Sequence, residues 1–257
     1  MKAMDNVLLA RSKACPPGQT FIDRIFTGFV ELRGDRRFGD DRAIIGGLAY
    51  LGDMPVTVIA SEKGDDAKDR ASRNFGSAHP EGYRKALRLM KQAEKFRRPV
   101  ICLINTSGAF CGIGAEERGQ GQAIAENLME MTSLKTPIIS ILTGEGGSGG
   151  ALALAVANEV WMLERAVYSV ISPEGCASIL YRDPKQAEVA AENLKLTADH
   201  LYSLGVIDGI VPDESYDDTF RQLRRKLITT LPKYIAMAPE AVAEHRRRRF
   251  RAIGANF

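Results

Sequence analysis

Two apolar runs, Ala43–Leu51 and Pro55–Ser61, are split by Gly52-Asp53, the composition of a tight hairpin turn. Pro80–Phe96 reads as an amphipathic helix, with Pro80 in its first turn and Tyr83, Ala86, Leu87, Met90 and Ala93 on one face. Pro99–Asn105 and Pro137–Thr143 are apolar nearly throughout and read as strands buried on both faces. Between them Glu116–Leu134 has helical spacing, with Ile124, Leu128 and Met131 inward. After Pro137–Thr143 the pattern gives a short helix over Ser148–Ala157 and strands over Val160–Leu163 and Val167–Ile171. Helices are expected over Pro173–Tyr181, Pro184–Ala191 and Thr197–Leu204, then a strand over Val206–Val211 and two closing helices. Apolar strands alternating with helices predict an α/β fold with parallel pairing and covered faces. In such folds the loops after strand C-termini build the site. Two of these loops are glycine-rich, Thr106–Gly114 and Gly144–Gly150.

Composition adds limits. The 257 residues are 45% hydrophobic and 26% charged, ordinary for a globular chain, and large enough to bury roughly three quarters of the unfolded surface. The net charge of +3 does not argue for nucleic acid. Five arginines lie between His245 and Phe257 with no acid, a basic tail that reads as a solvated helix end or a docking surface. The four cysteines are scattered, no CxxC occurs and the three histidines are isolated, so no metal site is expected. Cys102 and Cys176 read as packed thiols. No leader pattern precedes Cys15-Pro16-Pro17-Gly18, and the longest uncharged run, Pro99–Ala115, is too rich in Gly, Ser, Thr and Asn to cross a membrane. A cytoplasmic protein without membrane contact is expected.

Gly144–Gly150 admits three chemistries. Gly144-Glu145-Gly146-Gly147-Ser148-Gly149 satisfies GxGxxG, with Glu164 beyond the next strand, as in dinucleotide sites. Gly146–Gly150 satisfies GxSxG, with Asp208 and His245 following in hydrolase order and Ser148 as nucleophile. Glycines at a strand-to-helix turn can also expose backbone N–H groups to negative charge developing on an oxygen. A purely structural reading gives them close helix–strand packing. Lys63, Lys68, Arg70 and Arg73 are either a solvated basic loop or contacts for a carrier protein or phosphates. Glu116, Glu117 and Arg118 read as a helix start, and His79 as the residue capping the helix at Pro80.

The strings GDRRFGDDRAIIGG, ASRNFG, HPEGYRKALRLMKQAEKF, GIGAEERGQGQAIAENLMEM, GEGGSGGALALAVANEVWMLE and YSVISPEGCASIL together resemble the carboxyltransferase alpha subunit of bacterial acetyl-CoA carboxylase, in a short form without an N-terminal helical extension. The resemblance runs from about Phe21 to Pro212 and continues weakly into the arginine-rich tail. It implies a crotonase-type ββα superhelix over residues 1–257, one domain with a short N-terminal segment and a basic helical tail. The implied reaction transfers the carboxyl group of carboxybiotin, borne on a carrier protein, to acetyl-CoA, giving malonyl-CoA for fatty acid synthesis. The implied partners are a zinc-bearing beta subunit in an α2β2 assembly and the biotin carboxyl carrier protein, with the CoA thioester held mostly by the beta subunit. The resemblance assigns the catalytic N–H donors to Gly149 and Gly150, and substrate contacts to Gly146, Gly147 and Ser148 and to Gly108, Ala109 and Phe110 of the first loop. At that loop the family pattern would be TPGAYPG or TAGAYPG, whereas this chain has Thr106-Ser107-Gly108-Ala109-Phe110-Cys111-Gly112. Losing the rigid proline is expected to loosen the loop or to be neutral. A serine hydrolase using Ser148 and a non-catalytic paralogue that only binds the beta subunit are the alternatives.

Overall fold

The computed structural model describes residues 2–255. The strands are β1 (Thr27–Glu31), β2 (Ile44–Leu51), β3 (Met54–Ser61), β4 (Val100–Thr106), β5 (Ile138–Gly147), β6 (Glu159–Leu163), β7 (Val167–Ser169) and β8 (Gly209–Val211). They form one sheet in the order β1-β2-β3-β4-β5-β6-β8, with β7 paired to β5. Pairing is antiparallel across β1, β2 and β3 and parallel from β3 to β8. The hairpin turn falls at Gly52-Asp53, as its composition requires. Every residue of β4 is buried, which explains its uninterrupted apolar run.

The helices are α1 (Ala3–Arg11), α2 (Gly18–Ile25), α3 (Ala67–Ser72), α4 (Pro80–Lys95), α5 (Ile113–Glu117), α6 (Gln120–Ser133), α7 (Ser148–Ala155), α8 (Pro173–Leu180), α9 (Ala187–Asn193), α10 (Ala198–Ser203), α11 (Tyr216–Ile235) and α12 (Pro239–Ala252). His79 is the N-cap of α4 and Pro80 its first residue, and the helix buries Tyr83, Ala86, Leu89, Met90 and Ala93.

Five expectations are corrected. The helix expected over Glu116–Leu134 is two helices, because Gly119 adopts φ +81° between them. Glu116 and Glu117 therefore end α5 rather than start a helix, and Arg118 pairs with Glu81 of α4. The segment Gly144–Gly147 is not a loop: β5 continues through it, because β7 pairs with Glu145, Gly146 and Gly147. The last strand begins at Gly209, since the Asp208 side chain, not its strand ladder, receives the Val160 N–H at 2.7 Å. The arginine-rich tail is helical, but Arg246 within it is fully buried rather than solvated.

Candidate functional site

At the C-terminal end of β5 lies a cavity of about 420 Å³, walled by β5 and the start of α7, the loop after β4, the segment after β7, and α1. Gly108, Ala109, Gly146, Gly147, Ser148, Gly149 and Gly150 all line it. Phe110 does not: its ring stacks on His79 with centroids 4.1 Å apart. Its N–H donates to the Ala78 carbonyl at 3.0 Å, and Gln120 Nε2 donates to the carbonyls of Ala78 and Phe110. These bonds hold the backbone of the loop at Phe110.

The glycine run is shaped largely by crowding. A Cβ on Gly147 would lie 2.0 Å from the Ser107 carbonyl oxygen, and one on Gly150 would lie 2.5 Å from the Ala109 nitrogen. Both let the first glycine-rich loop press against the second. Gly146 is similarly confined by Tyr168 of β7. Gly149 differs, because a Cβ there would meet only Ile124 side-chain carbons, at 3.6 and 3.8 Å. Packing thus accounts for Gly146, Gly147 and Gly150 but not for Gly149.

Helix α7 is tied down at one end. Its C-terminal carbonyls are received by buried side chains: Asn127 Nδ2 donates to Ala153 at 3.1 Å and Ser140 Oγ to Leu154 at 2.6 Å. Its N-cap, Gly147, supplies no side-chain acceptor, so the first turn has no side-chain cap, and its residues Ser148, Gly149 and Gly150 line the cavity. Ser148 is exposed and holds φ +51°, a left-handed conformation costing a non-glycine residue about 1 kcal/mol or more.

The ionisable side chains lining the cavity are Arg11 and Glu145. Glu145 accepts from Lys63 Nζ at 2.7 Å and from Arg11 Nε at 2.8 Å. Burial alone would push its carboxyl up, but Lys63 and Arg11 outweigh burial and hold it below the usual carboxylate range. Arg11 also reaches Glu174 of α8, at 2.7 Å from Nη1 and 3.3 Å from Nη2. Glu174 first, then Glu145, keep the guanidinium firmly protonated. Sequence reasoning missed Arg11 by treating the residues before Cys15 as a separate segment. The available signal was Glu145 itself, since a carboxylate inside an otherwise apolar strand end requires cationic partners. The basic stretch also changes meaning: Lys63 is internal, Arg73 pairs with Asp69, and Arg70 donates to the Gly64 carbonyl.

The hydrolase arrangement is not assembled. Ser148 lines the cavity, whereas Asp208 and His245 border a separate groove beside Arg248 and Arg249. Asp208 is already engaged by Arg249 Nε at 2.7 Å. His79 contacts Asn74 and His200 contacts Thr197, so no histidine lines the cavity. Cys102 is buried, which pushes its thiol up to about 12, and Cys176 is buried too. Among the described residues, no group of three or more His, Cys, Asp or Glu is placed to hold a metal, and no helix is long and apolar enough to cross a membrane.

Residues 1–254 match the family model described as acetyl co-enzyme A carboxylase carboxyltransferase-like. The chain is 60% identical over 256 residues to the acetyl-coenzyme A carboxylase carboxyl transferase subunit alpha of Ruminiclostridium cellulolyticum, covering 99% of this chain and 98% of that protein. It is 53% identical to the subunits beta/alpha protein of Natranaerobius thermophilus, covering 97% of this chain and 42% of that longer one. Among solved structures it superposes on transcarboxylase 12S, bound to methylmalonyl-coenzyme A and methylmalonic acid, with a TM-score of 0.70 at 18% identity, covering 85% of this chain and 42% of the other. That likeness bears out the crotonase-type α/β fold.

Proposed function

The chain belongs to the carboxyltransferase alpha-subunit family of acetyl-CoA carboxylase, and on that premise we propose that the cavity at the end of β5 receives the biotin-borne carboxyl group. The family's activity is the carboxyl transfer that forms malonyl-CoA. In this reading the carboxyl donor is carboxybiotin on a carrier protein and the acceptor is acetyl-CoA. Breaking the N–CO2 bond leaves negative charge on the ureido oxygen. Backbone N–H groups of Gly149 and Gly150 would receive that charge, each donor worth about 3 kcal/mol in the barrier. The resulting enolate can take the methyl proton of acetyl-CoA, so no side-chain base is required. Support comes from the lining: no histidine borders the cavity, and its acid, Glu145, is committed to two cations.

The observation that carries this reading is Gly149, a cavity-lining glycine in the uncapped first turn of α7 for which packing gives no reason. Gly108, Ala109, Gly146, Gly147 and Ser148 shape the walls that the biotin rings would enter. The relative with beta and alpha subunits in one chain supports a beta partner for this one. An α2β2 assembly, CoA bound mainly on the beta side and zinc on the beta partner complete the proposal. The test is reconstitution with a cognate beta subunit, following biocytin-dependent decarboxylation of malonyl-CoA. Turnover requiring both subunits is expected. A reconstituted complex without biocytin-dependent turnover contradicts the reading and favours a role in beta-subunit binding alone.

A further inference from the structure

Glu145 is the last residue of β5 with a side chain before Ser148, since Gly146 and Gly147 have none. The backbone there is fixed from outside or not at all. The β4–β5 ladder shifts register between Ile104 and Thr106, and the Asn105 side chain bridges the gap. Its Oδ1 accepts the Glu145 N–H at 3.0 Å, while its Nδ2 donates to Cys15 Sγ at 3.3 Å. On the other edge, β7 pairs with Glu145, Gly146 and Gly147. Those ladders fix the strand within its sheet. The Glu145 carboxylate adds anchors outside it: Lys63, just after β3, at 2.7 Å, and Arg11, at the end of α1, at 2.8 Å.

Stability alone does not call for such a cluster, since an apolar residue of similar volume commonly serves a core as well as a buried ion pair does. What two cations on one carboxylate provide is a fixed position. They also settle an electrostatic problem. A lone carboxylate lining the same cavity as Gly149 would oppose negative charge developing there, whereas Lys63 and Arg11 offset Glu145 and Glu174 and leave the four groups neutral together.

We propose that Glu145 is a positioning residue for carboxyl transfer: clamped between Lys63 and Arg11, it sets the path of the backbone into Gly146–Gly150 and so aims the Gly149 amide. This rests on the reading of the cavity given above. Arg11 acts in it through Glu145, while its fork to Glu174 only holds α1 against α8.

The experiment uses the complex reconstituted with the beta subunit, with kcat and KM for malonyl-CoA measured beside the melting temperature of each variant. Glu145→Gln is expected to lower kcat at least tenfold with KM within twofold of the parent, and Glu145→Asp to recover part of the loss. Arg11→Gln is expected to lower kcat three- to tenfold alone and to add nothing in the Glu145→Gln background, the signature of coupled residues. Glu174→Gln, which breaks the other Arg11 pair, should leave kcat within twofold. Should Glu145→Gln fail to fold, Arg11→Gln against Glu174→Gln decides: both loosen α1, but only the first bears on Glu145. A Glu145→Gln enzyme with parental kcat, losses from Glu145 and Arg11 that multiply, or an equal loss in Glu174→Gln each overturn the proposal. A parent complex that itself lacks biocytin-dependent turnover is a different result, and it overturns the underlying reading together with this one.

Discussion

Ser148 holds a left-handed backbone at the mouth of the cavity, with its side chain exposed. A hydroxyl in that position invites the role of nucleophile, but the hydrogen-bond partners such a role needs are absent from the cavity lining. Ser148→Ala is therefore expected to keep reconstituted activity within about tenfold, and the same holds for alanine at His79, His200 or His245. Any of these falling by the 10²–10⁴ typical of a lost acid–base group, with folding intact, would require a side-chain base. Ser148→Gly should be at least as stable as the parent, because relief of about 1 kcal/mol of backbone strain offsets the extra freedom of glycine in the unfolded chain. A melting temperature lower by more than about 2 °C would contradict this. Gly150→Val has a different cause of failure. Its side chain would drive into the Gly108–Ala109 backbone, so thermal stability should fall along with activity. Only Gly149 offers a substitution that fills the cavity while sparing the fold.

At the scale of elements, legibility followed burial. β4 and the first part of β5 were readable because both faces are covered and their runs are apolar. β1 and α3 gave little signal, since β1 is largely exposed and α3 buries no residue, whereas α2 buries Phe21, Ile22 and Ile25 at helical spacing and was legible but not used. The glycine run looked like a loop because glycine weakens any strand pattern, yet β7 supplies a ladder that holds it extended. Gly119 broke a helix whose apolar spacing alone runs straight through it. The cavity wall was legible where backbone chemistry made it so, and illegible where it depended on Arg11, 134 residues from Glu145.

Arg246 shows the same limit. Its guanidinium, wholly buried, donates to the carbonyls of Met131, Leu134 and Thr136 and to Asn158 Oδ1, closing the C-terminal end of α6. In sequence it is one of four consecutive arginines. Arg246→Ala is expected to cost about 3–5 kcal/mol by leaving those buried carbonyls unpaired, measured by denaturant unfolding, whereas Arg247→Ala, exposed, should change stability by less than about 0.5 kcal/mol. In the loop after β1, Asp35 is opposed by burial but receives the N–H groups of Arg37, Phe38 and Gly39 and a bond from Arg84, which bring its carboxyl down to about 2. A folded-state value below the unfolded one contributes stability that is complete above about pH 4 and lost as pH falls toward 2. Asp35→Asn should remove about 2 kcal/mol at neutral pH and flatten that part of the acid limb. An unchanged acid limb would contradict the assignment.

Over the whole molecule, the sheet gathers β4, β5 and β7 so that two glycine-rich segments distant in sequence meet at one cavity. The cavity there is bordered by the first turn of α7 and by an acid paired with two cations, and by no histidine. Such a half-site is expected to be silent alone, so the purified chain should show little or no carboxyl transfer until the beta subunit is added. The central claim is that the amide of Gly149 stabilises charge on the transferring group. Its most direct measurement compares biocytin-dependent malonyl-CoA decarboxylation by the reconstituted parent and Gly149→Ala, with melting temperature and beta-subunit binding measured on both. A Cβ on Gly149 would meet only Ile124 at ordinary van der Waals distance, so alanine enters without disturbing its neighbours. Alanine keeps the N–H but places a methyl group in the cavity it serves, so the account predicts unchanged folding and binding with kcat lowered about tenfold or more by keeping the transferring group from that N–H; a Gly149→Ala complex turning over at the parental rate would contradict it.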